Sequence, residues 1–396
     1  MGENVDVLVV GAGPAGSAAA ITAADAGCSV ILCDKAVFPR DKTCGDGLTT
    51  EALRLLETLG LEPESVASWT PVHDVVLRSP SGRVVELALP GDGLYAAVAP
   101  RSALDAGLFA LAGTRGAALR PGAALDALEQ SAGGVTARLS DGTTVVARWV
   151  VAADGVYSTV RRLAVAPPTT YLGEWHAFRQ YWAGVADDRR LWVLFEEDLL
   201  PGYAWVFPLG AGRANVGFGI PRRPGVSVRP MAGIWRDLPR REALRRVLGP
   251  SAQPEGTHRA WPIPADLARA PLATGRVLFA GDAAGATDPL TGEGIAQALT
   301  TGIAAARAVV GGGDVAGRYT RVVKGSLGPD LRFSAVLGRI LASPRGARGA
   351  IHAAGLNPWT RRHFARWLFE DYPRAMLFTP GRWHRGALHE PGAYRG

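Results

Sequence analysis

Six residues near the start of the chain carry the clearest chemical signal. Gly11, Gly13 and Gly16 stand in the run GAGPAG, directly after the apolar stretch Val7–Val10 and directly before the small-residue run Ser17–Ala26. The pattern predicts a short buried strand over Val5–Val10, a tight turn, a helix stopped by Gly27, and a second apolar strand over Cys28–Cys33 that ends at Asp34. In such a βαβ unit each glycine has a separate task. Gly11 allows the turn, Gly13 lets the backbone approach a pyrophosphate, and Gly16 lets helix and strand pack closely. The helix start turns free N–H groups and the positive end of its dipole towards the phosphates. Asp34 lies 23 residues after Gly11, where a carboxylate reaches a ribose hydroxyl. A lone GxGxxG is weak, but between a strand and a helix, with the acid at this spacing, it reads as a dinucleotide site. Cys28 and Cys33 flank or lie in the second strand and read as buried structural thiols.

Two later strand-to-turn corners belong with the first. Val150–Ala153 runs into Asp154 and Gly155, followed by Ser158 and Arg161. Val277–Ala280 runs into Gly281 and Asp282, and the segment from Pro289 through Gly292, Glu293 and Gly294 to Ile295 then opens a helix. Three such corners in this order resemble the flavoproteins built on the p-hydroxybenzoate hydroxylase fold. That resemblance implies FAD rather than NAD as the bound cofactor. It implies Asp282 on the ribityl chain, and the helix start at Gly292–Ile295 against the pyrimidine edge of the flavin, where its dipole stabilises the anionic reduced ring. Arg101, at the head of a helical segment over Ser102–Ala112, would reach the pyrophosphate side. The cofactor contacts so implied are Gly11, Gly13, Ala15, Gly16, Asp34, Lys35, Arg40, Cys44, Gly45, Arg101, Asp154, Gly281, Asp282, Pro289, Gly292, Gly294 and Ile295.

A narrower resemblance rests on three motifs. Pro39 to Gly45 reads PxxKxCG, Tyr203 to Pro208 reads YxWxFP, and Gly281 to Ile295 reads GD…DPxxGEGI. All three occur in order, over roughly residues 1–310, and resemble the geranylgeranyl reductase family; within it, the similarity extends to reductases that saturate one isoprene unit of menaquinone. The chain departs from the common family pattern at Thr43, where proline is frequent, and at Asp46, where some members carry glycine. The family implies a flavin held above a long apolar tunnel for a prenyl chain. Tyr203 and Trp205 alternate with Ala204 and Val206, so both rings share one face of a strand, either as a tunnel wall or as sheet core. Phe207 extends that face as a third substrate contact. Cys44 follows the basic pair Arg40 and Lys42; carried over, it would lie near the flavin ring. A thiol there could gate the flavin, position the substrate or donate a proton, or serve as a small buried residue. Arg40 and Lys42 would contact the ADP half or the phosphates.

The reaction implied is hydride delivery from N5 of the reduced flavin to one carbon of a C=C bond and a proton to the other. An unactivated trisubstituted alkene requires protonation to lead, with Cys44 or a bound water as the candidate acid. Only one GxGxxG occurs, which argues against a separate nicotinamide domain; the electron donor is then NAD(P)H visiting transiently or another reduced carrier. The alternative is a class A flavin monooxygenase acting on a small aromatic or polyketide substrate, because Asp154, Gly155 and Arg161 are shared with such hydroxylases. Gly285 stands where those enzymes usually have histidine, and Ile295 where they have asparagine. The WxWxIP tract of flavin halogenases is missing. A flavin-bearing protein with a structural or regulatory role is the remaining class.

These residues need a scaffold. The expected fold is α/β: a Rossmann-like FAD-binding domain over residues 1–65, 100–165 and 270–318, an inserted mainly antiparallel β-sheet domain for substrate over 66–99 and 166–269, and a C-terminal helical region over 319–396. Phe178, Tyr181 and Trp182 read better as core than as pocket, and Trp261–Pro264 as a connection. The segment Leu356–Phe369 mixes Trp and Phe with Arg. It reads either as a helical cap on the tunnel or as an interfacial helix that touches anionic membrane.

Bulk properties exclude other classes. With 47% hydrophobic and 20% charged residues the chain is an ordinary globular composition, and its net charge of +7 suits an anionic ligand, an anionic surface or simple arginine richness. Three cysteines are too few and wrongly spaced for zinc or an iron–sulfur cluster, and His73, His258 and His352 are scattered, so no metal site is expected. No aromatic-plus-basic module for nucleic acid is present. No stretch reaches the ~20 apolar residues of a spanning helix, and the first residues lack a signal-peptide pattern. The expected location is cytoplasmic, at most peripheral to the inner face of the membrane.

Overall fold

The computed structural model describes residues 2–165, 173–186, 189–222, 230–383 and 388–395. Parts of the expected substrate domain and of the C-terminal region therefore lie outside the described residues. The first strand, Glu3–Val10, is central in an eight-stranded sheet. It pairs in parallel with Val30–Asp34 on one side and Thr144–Ala152 on the other, and Val277–Phe279 extends the sheet in parallel beyond the latter. Val7, Leu8 and Val9 are fully buried, as a continuous apolar run covered on both faces requires. Because neighbouring strands leave Glu3–Val10 in opposite directions along the sheet, the crevice above its C-terminal end is the place where ligands bind in such folds.

Two helices seal one face of this sheet. Pro14–Asp25 follows the glycine turn, and Ile295–Val310 packs across it. A Cβ on Gly16 would collide with the carbonyl of Gly11, and one on Gly302 with the carbonyl of Ala15. Glycine at both places permits a close approach that a larger residue would force apart. At Gly11 the backbone also has a positive φ of 97°, so both space and conformation require glycine there.

A second, seven-stranded sheet is assembled from distant parts of the chain, in the order Gln253–Ile263, Trp175–Ala183, Arg213–Pro221, Tyr203–Gly210, Leu191–Leu194, Asp74–Arg78, Val84–Ala88. It is antiparallel except where Leu191–Leu194 runs parallel to Asp74–Arg78. The period of two divides its residues sharply. Phe178, Trp182, Val206 and Phe218 pack on one face against Met231, Trp235 and Leu244. Trp205, Phe207, Leu191 and Val193 lie on the other face, with Val75 and Leu77. The core reading of Phe178 and Trp182 matches this arrangement.

The C-terminal helices Val315–Ser326, Gly328–Leu341, Pro344–Ala354 and Pro358–Leu368 fold back over that second face, with Ile351, Ala365 and Phe369 in its apolar core. Their anchor is polar. Asp371, almost fully buried, takes Arg54 at 2.5 Å from the helix Thr50–Leu59 and pairs with the buried Arg366. Among the described residues no helix is long and apolar enough to cross a membrane.

Candidate active site

The three glycine-bearing corners meet at one crevice. Val10 leads to Gly11, Ala152 to Asp154, and Phe279 to Gly281, all at the C-terminal ends of parallel strands. Around them lies a cavity of about 350 Å³. Its wall contains Gly11, Gly13, Ala15, Asp34, Lys35, Arg40, Cys44, Gly45, Arg101, Asp154, Gly281, Asp282, Gly292, Gly294 and Ile295, together with Tyr203, Trp205 and Phe207. Two expected contacts stand off the wall. Gly16 sits behind it at the helix contact, and the Pro289 carbonyl accepts a hydrogen bond from the Trp175 indole at 2.9 Å. Trp261 and Ile263, expected as a connection, are part of the wall, because the strand Gln253–Ile263 runs along the sheet edge.

The crevice suits a dinucleotide. The helix Pro14–Asp25 begins at Gly13 with no side chain capping its first N–H groups, and the guanidinium ends of Arg101 and Arg40 lie 3.6 and 3.7 Å from where a Cβ on Gly13 would stand. A helix start and two cations facing a bare glycine form an anion cradle. Asp105, fully buried, holds both arginines in place: Arg101 donates to it twice at 2.8 Å, and Arg40 Nη1 lies 3.0 Å away. Asp34 accepts the N–H groups of Ala12 and Ala36 at 2.8 Å, so its carboxylate stands ready over the turn. Lys42 lies over the Trp261 ring and 3.9 Å from Asp282, and burial pulls its amine down to about 8.

The loop that carries Cys44 is fixed by a polar network. Asn215 donates from Nδ2 to the Cys44 carbonyl and to Asp46, each at 2.8 Å, and accepts the Trp205 indole N–H at 3.0 Å. Asp46 also receives the Tyr181 hydroxyl at 2.8 Å and the Arg101 N–H at 3.2 Å. Asp46 has a positive φ of 66°, which explains how glycine can occupy this position elsewhere. Burial pushes its carboxyl up to about 6 against the pull of Arg179 and these donors, and pushes the Cys44 thiol up to about 11 despite nearby Arg101. Cys44 is therefore a neutral thiol at neutral pH, not a thiolate nucleophile. Replacing Asp46 with alanine is expected to strand three buried donors at about 1–3 kcal/mol each. Glycine at the same place would lose the acceptor but remove the left-handed strain, and should be less damaging by about 1 kcal/mol. Denaturant titration of the two variants measures that difference.

Tyr203 and Phe207 form the divide between this cavity and a second one, with Trp205 beside them on the crevice side. The Tyr203 hydroxyl donates to the Thr291 carbonyl. The Trp205 ring lies against Gly217, where a Cβ would collide with it, and Phe207 lies 3.2 Å from the Cβ position of Gly45. The second cavity holds about 100 Å³ and is lined by Leu191, Val193, Phe195, Leu341, Ile351 and Trp367, among other apolar side chains. Tyr203, Phe207, Thr291 and Glu293 line both cavities.

Glu293 is a wall residue of both cavities that sequence reasoning passes over. It lies inside the GEGI motif, where attention falls on backbone positions, yet its carboxyl makes no hydrogen bond or ion pair among the described residues. Desolvation, then the charge of Glu370, pushes it up to about 8. An acid between two glycines in a strand-to-helix turn was the available signal.

An FAD binding domain family matches residues 4–308. A menaquinone reductase of Mycolicibacterium smegmatis is 38% identical over 79% of this chain and 78% of its own length. A digeranylgeranylglycerophospholipid reductase of Methanopyrus kandleri is 34% identical over 75% of this chain and 74% of its own. A geranylgeranyl bacteriochlorophyll reductase-like protein of Thermoplasma acidophilum superimposes with a TM-score of 0.79 at 23% identity, covering 97% of this chain and all of that one. With its cofactor crevice, its aromatic divide and relatives of this kind, the chain belongs to the geranylgeranyl reductase family of FAD-dependent oxidoreductases.

Proposed function

We propose that the protein saturates C=C bonds in the prenyl chain of an isoprenoid lipid or prenylated quinone. The observation that carries this reading is the apolar cavity opening beside the cofactor crevice at Tyr203, Phe207, Thr291 and Glu293. A prenyl chain in that cavity would lie among aliphatic and aromatic side chains and bring a double bond up to the divide. The bound reduced flavin supplies the hydride. The chain's own residues hold the cofactor through Gly11, Gly13, Arg40, Arg101, Asp34 and Asp282, exclude water with Trp205 and Phe207, and orient the substrate at Tyr203. Cys44 serves as a neutral wall residue that positions the reacting groups. The same proposal divides the chain into an FAD-binding domain over 1–65, 100–165 and 270–318, a substrate domain over 66–99 and 166–269, and a helical lid over 319–396. Electrons come from NAD(P)H or another reduced carrier that meets the flavin at the mouth of the crevice.

The test is anaerobic incubation of reduced holoenzyme with prenylated quinones and geranylgeranyl lipids. A product heavier by two hydrogens supports the reading. Substrate-stimulated oxygen consumption with a hydroxylated product would overturn it in favour of the monooxygenase.

The lid has a second face. Leu356, Trp359, Phe378 and Trp383 are exposed, with Trp359 at 67%, and Arg361 and Arg362 stand exposed beside Trp359. Apolar rings ringed by arginines suit the interface of an anionic bilayer, where a lipid substrate resides. A Leu356→Ser/Trp359→Ser variant is expected to lose binding to anionic vesicles in co-sedimentation while keeping its flavin and its fold. Unchanged sedimentation would remove the membrane contact from the proposal.

A further inference from the structure

Reducing an isolated alkene needs a proton as well as a hydride, and the buried polar groups at the divide differ in how they could supply it. Tyr203 spends its hydroxyl hydrogen on the Thr291 carbonyl, and burial raises it far above its ordinary value. Cys44 is a weak acid for the reason already given. Glu293 alone lines both cavities as a carboxyl group without a hydrogen-bond donor or paired cation among the described residues.

The charges around it sort themselves by contact. Arg374, 4% exposed, lies 3.4 Å from both Asp288 and Glu370. Asp288 also accepts the N–H groups of Leu290 and Thr291 at 2.8 and 2.9 Å and the Ser334 hydroxyl at 2.7 Å. Glu370 accepts the Thr49 hydroxyl at 3.0 Å and the Gln297 amide at 2.9 Å. Donors and the Arg374 guanidinium favour the charged form of Glu370, while burial outweighs them and pushes its carboxyl up as well. One guanidinium faces three carboxyl groups, and Glu293 is the one of the three that no donor or paired cation among the described residues helps to ionise. The backbone of Glu370 has a positive φ of 57°, a conformation that aims this side chain inward at some cost. Glu51, on the helix Thr50–Leu59, adds another acid beside Glu370.

We propose that Glu293 delivers the proton to the substrate double bond, with the Glu370 carboxyl group, carried on the C-terminal lid, as the neighbour that takes the one guanidinium in its place. The π electron pair forms a C–H bond to the proton of Glu293 at the less substituted carbon. The hydride, with its two electrons, closes the tertiary cation, and the Glu293 carboxylate regains a proton from water before the next turnover. Glu293 is the catalytic residue, and Glu370 is a positioning residue that acts through it. This inference rests on the reductase reading.

The test uses holoenzyme and three variants. In anaerobic single turnover, Glu293→Gln is expected to slow alkene saturation by about 100-fold or more, while flavin content and prenyl binding stay unchanged. Glu293→Asp should retain part of the rate. The wild-type rate should fall as pH rises through about 8, where the acid form is lost. Glu370→Gln removes the neighbouring acid whose charge helps raise Glu293, so that fall should move to lower pH. Infrared spectroscopy gives a readout free of turnover: a protonated carboxyl band present at neutral pH, lost above about pH 8 and absent from Glu293→Gln. An inactive wild type overturns the reductase reading itself. An active wild type with Glu293→Gln within about threefold of its rate and an unchanged pH profile overturns only the assignment of Glu293.

Discussion

A Gly16→Val variant is expected to purify with its flavin occupancy reduced more than tenfold, a loss of about 1.4 kcal/mol or more in cofactor binding. The side chain would enter the space of the Gly11 carbonyl, and Ala153 lies beside it at 3.2 Å. Nothing there is the free end of a flexible side chain, so the helix Pro14–Asp25 must move off the sheet. That displacement takes the helix start away from the two arginines over Gly13 and breaks up the anion cradle. Gly302→Leu attacks the same helix from its other side, through the Ala15 carbonyl, and should produce the same loss without touching the motif. Flavin absorbance per mole of purified protein measures both. Full occupancy in either variant would refute the account of these close contacts.

The second large effect concerns the apolar cavity. Ala347, 1% exposed on the helix Pro344–Ala354, lines it, and Ala347→Trp would fill a space of about 100 Å³. Spoiling the fit of an apolar pocket to its substrate costs about 1–3 kcal/mol in transition-state binding. For a long prenyl substrate that predicts a fall of about 10- to 100-fold in kcat/KM, with the flavin spectrum unchanged. Short prenyl analogues that end before the cavity should lose far less. Equal losses for long and short chains would mean that the chain lies elsewhere.

One consequence of Glu293 concerns stability. Its carboxyl has an ordinary value of 4.5 and is pushed up to about 8 in the folded protein. Between those values the folded state binds more protons than the unfolded state, so this group's contribution to stability is complete below 4.5 and is lost as pH rises through about 8. Glu293→Gln removes the loss. Its melting temperature should match the wild type at low pH and exceed it above pH 8, the opposite sign to its effect on activity. A melting curve series across that pH range would check it.

Much of the cofactor crevice is legible in the chain. The Gly11–Gly16 run, the acid at Asp34 and the corners at Asp154 and Asp282 are short patterns whose meaning comes from local backbone sterics, and they converge because parallel strands all present their C-terminal ends to one crevice. The shared face of Tyr203 and Trp205 follows from the strand period alone. The partners of these residues are not legible in the same way. Asn215, which ties Cys44, Asp46 and Trp205 together, lies far along the chain from the loop it holds. Trp261 and Ile263 become wall residues only because their strand extends the sheet edge.

The C-terminal region divides most clearly. The mixture of Trp, Phe and Arg over Leu356–Phe369 is compatible with a lid and with a membrane helix, since composition does not say which face turns inward. Tertiary packing turns Phe364, Trp367, Leu368 and Phe369 inward to line the apolar cavity while Trp359 stays outside, so the segment caps that cavity with one face and leaves the other exposed. It also brings Glu370 and Arg374 beside Glu293, although they are remote in sequence. The sequence by itself determined that a dinucleotide is bound and which turn and helix start are shaped to take phosphates, because glycine requirements and helix starts are local properties of the chain. Only the tertiary structure brought Glu293, Glu370, Asp288 and Arg374 together, because that depends on where distant segments deliver their charges and donors.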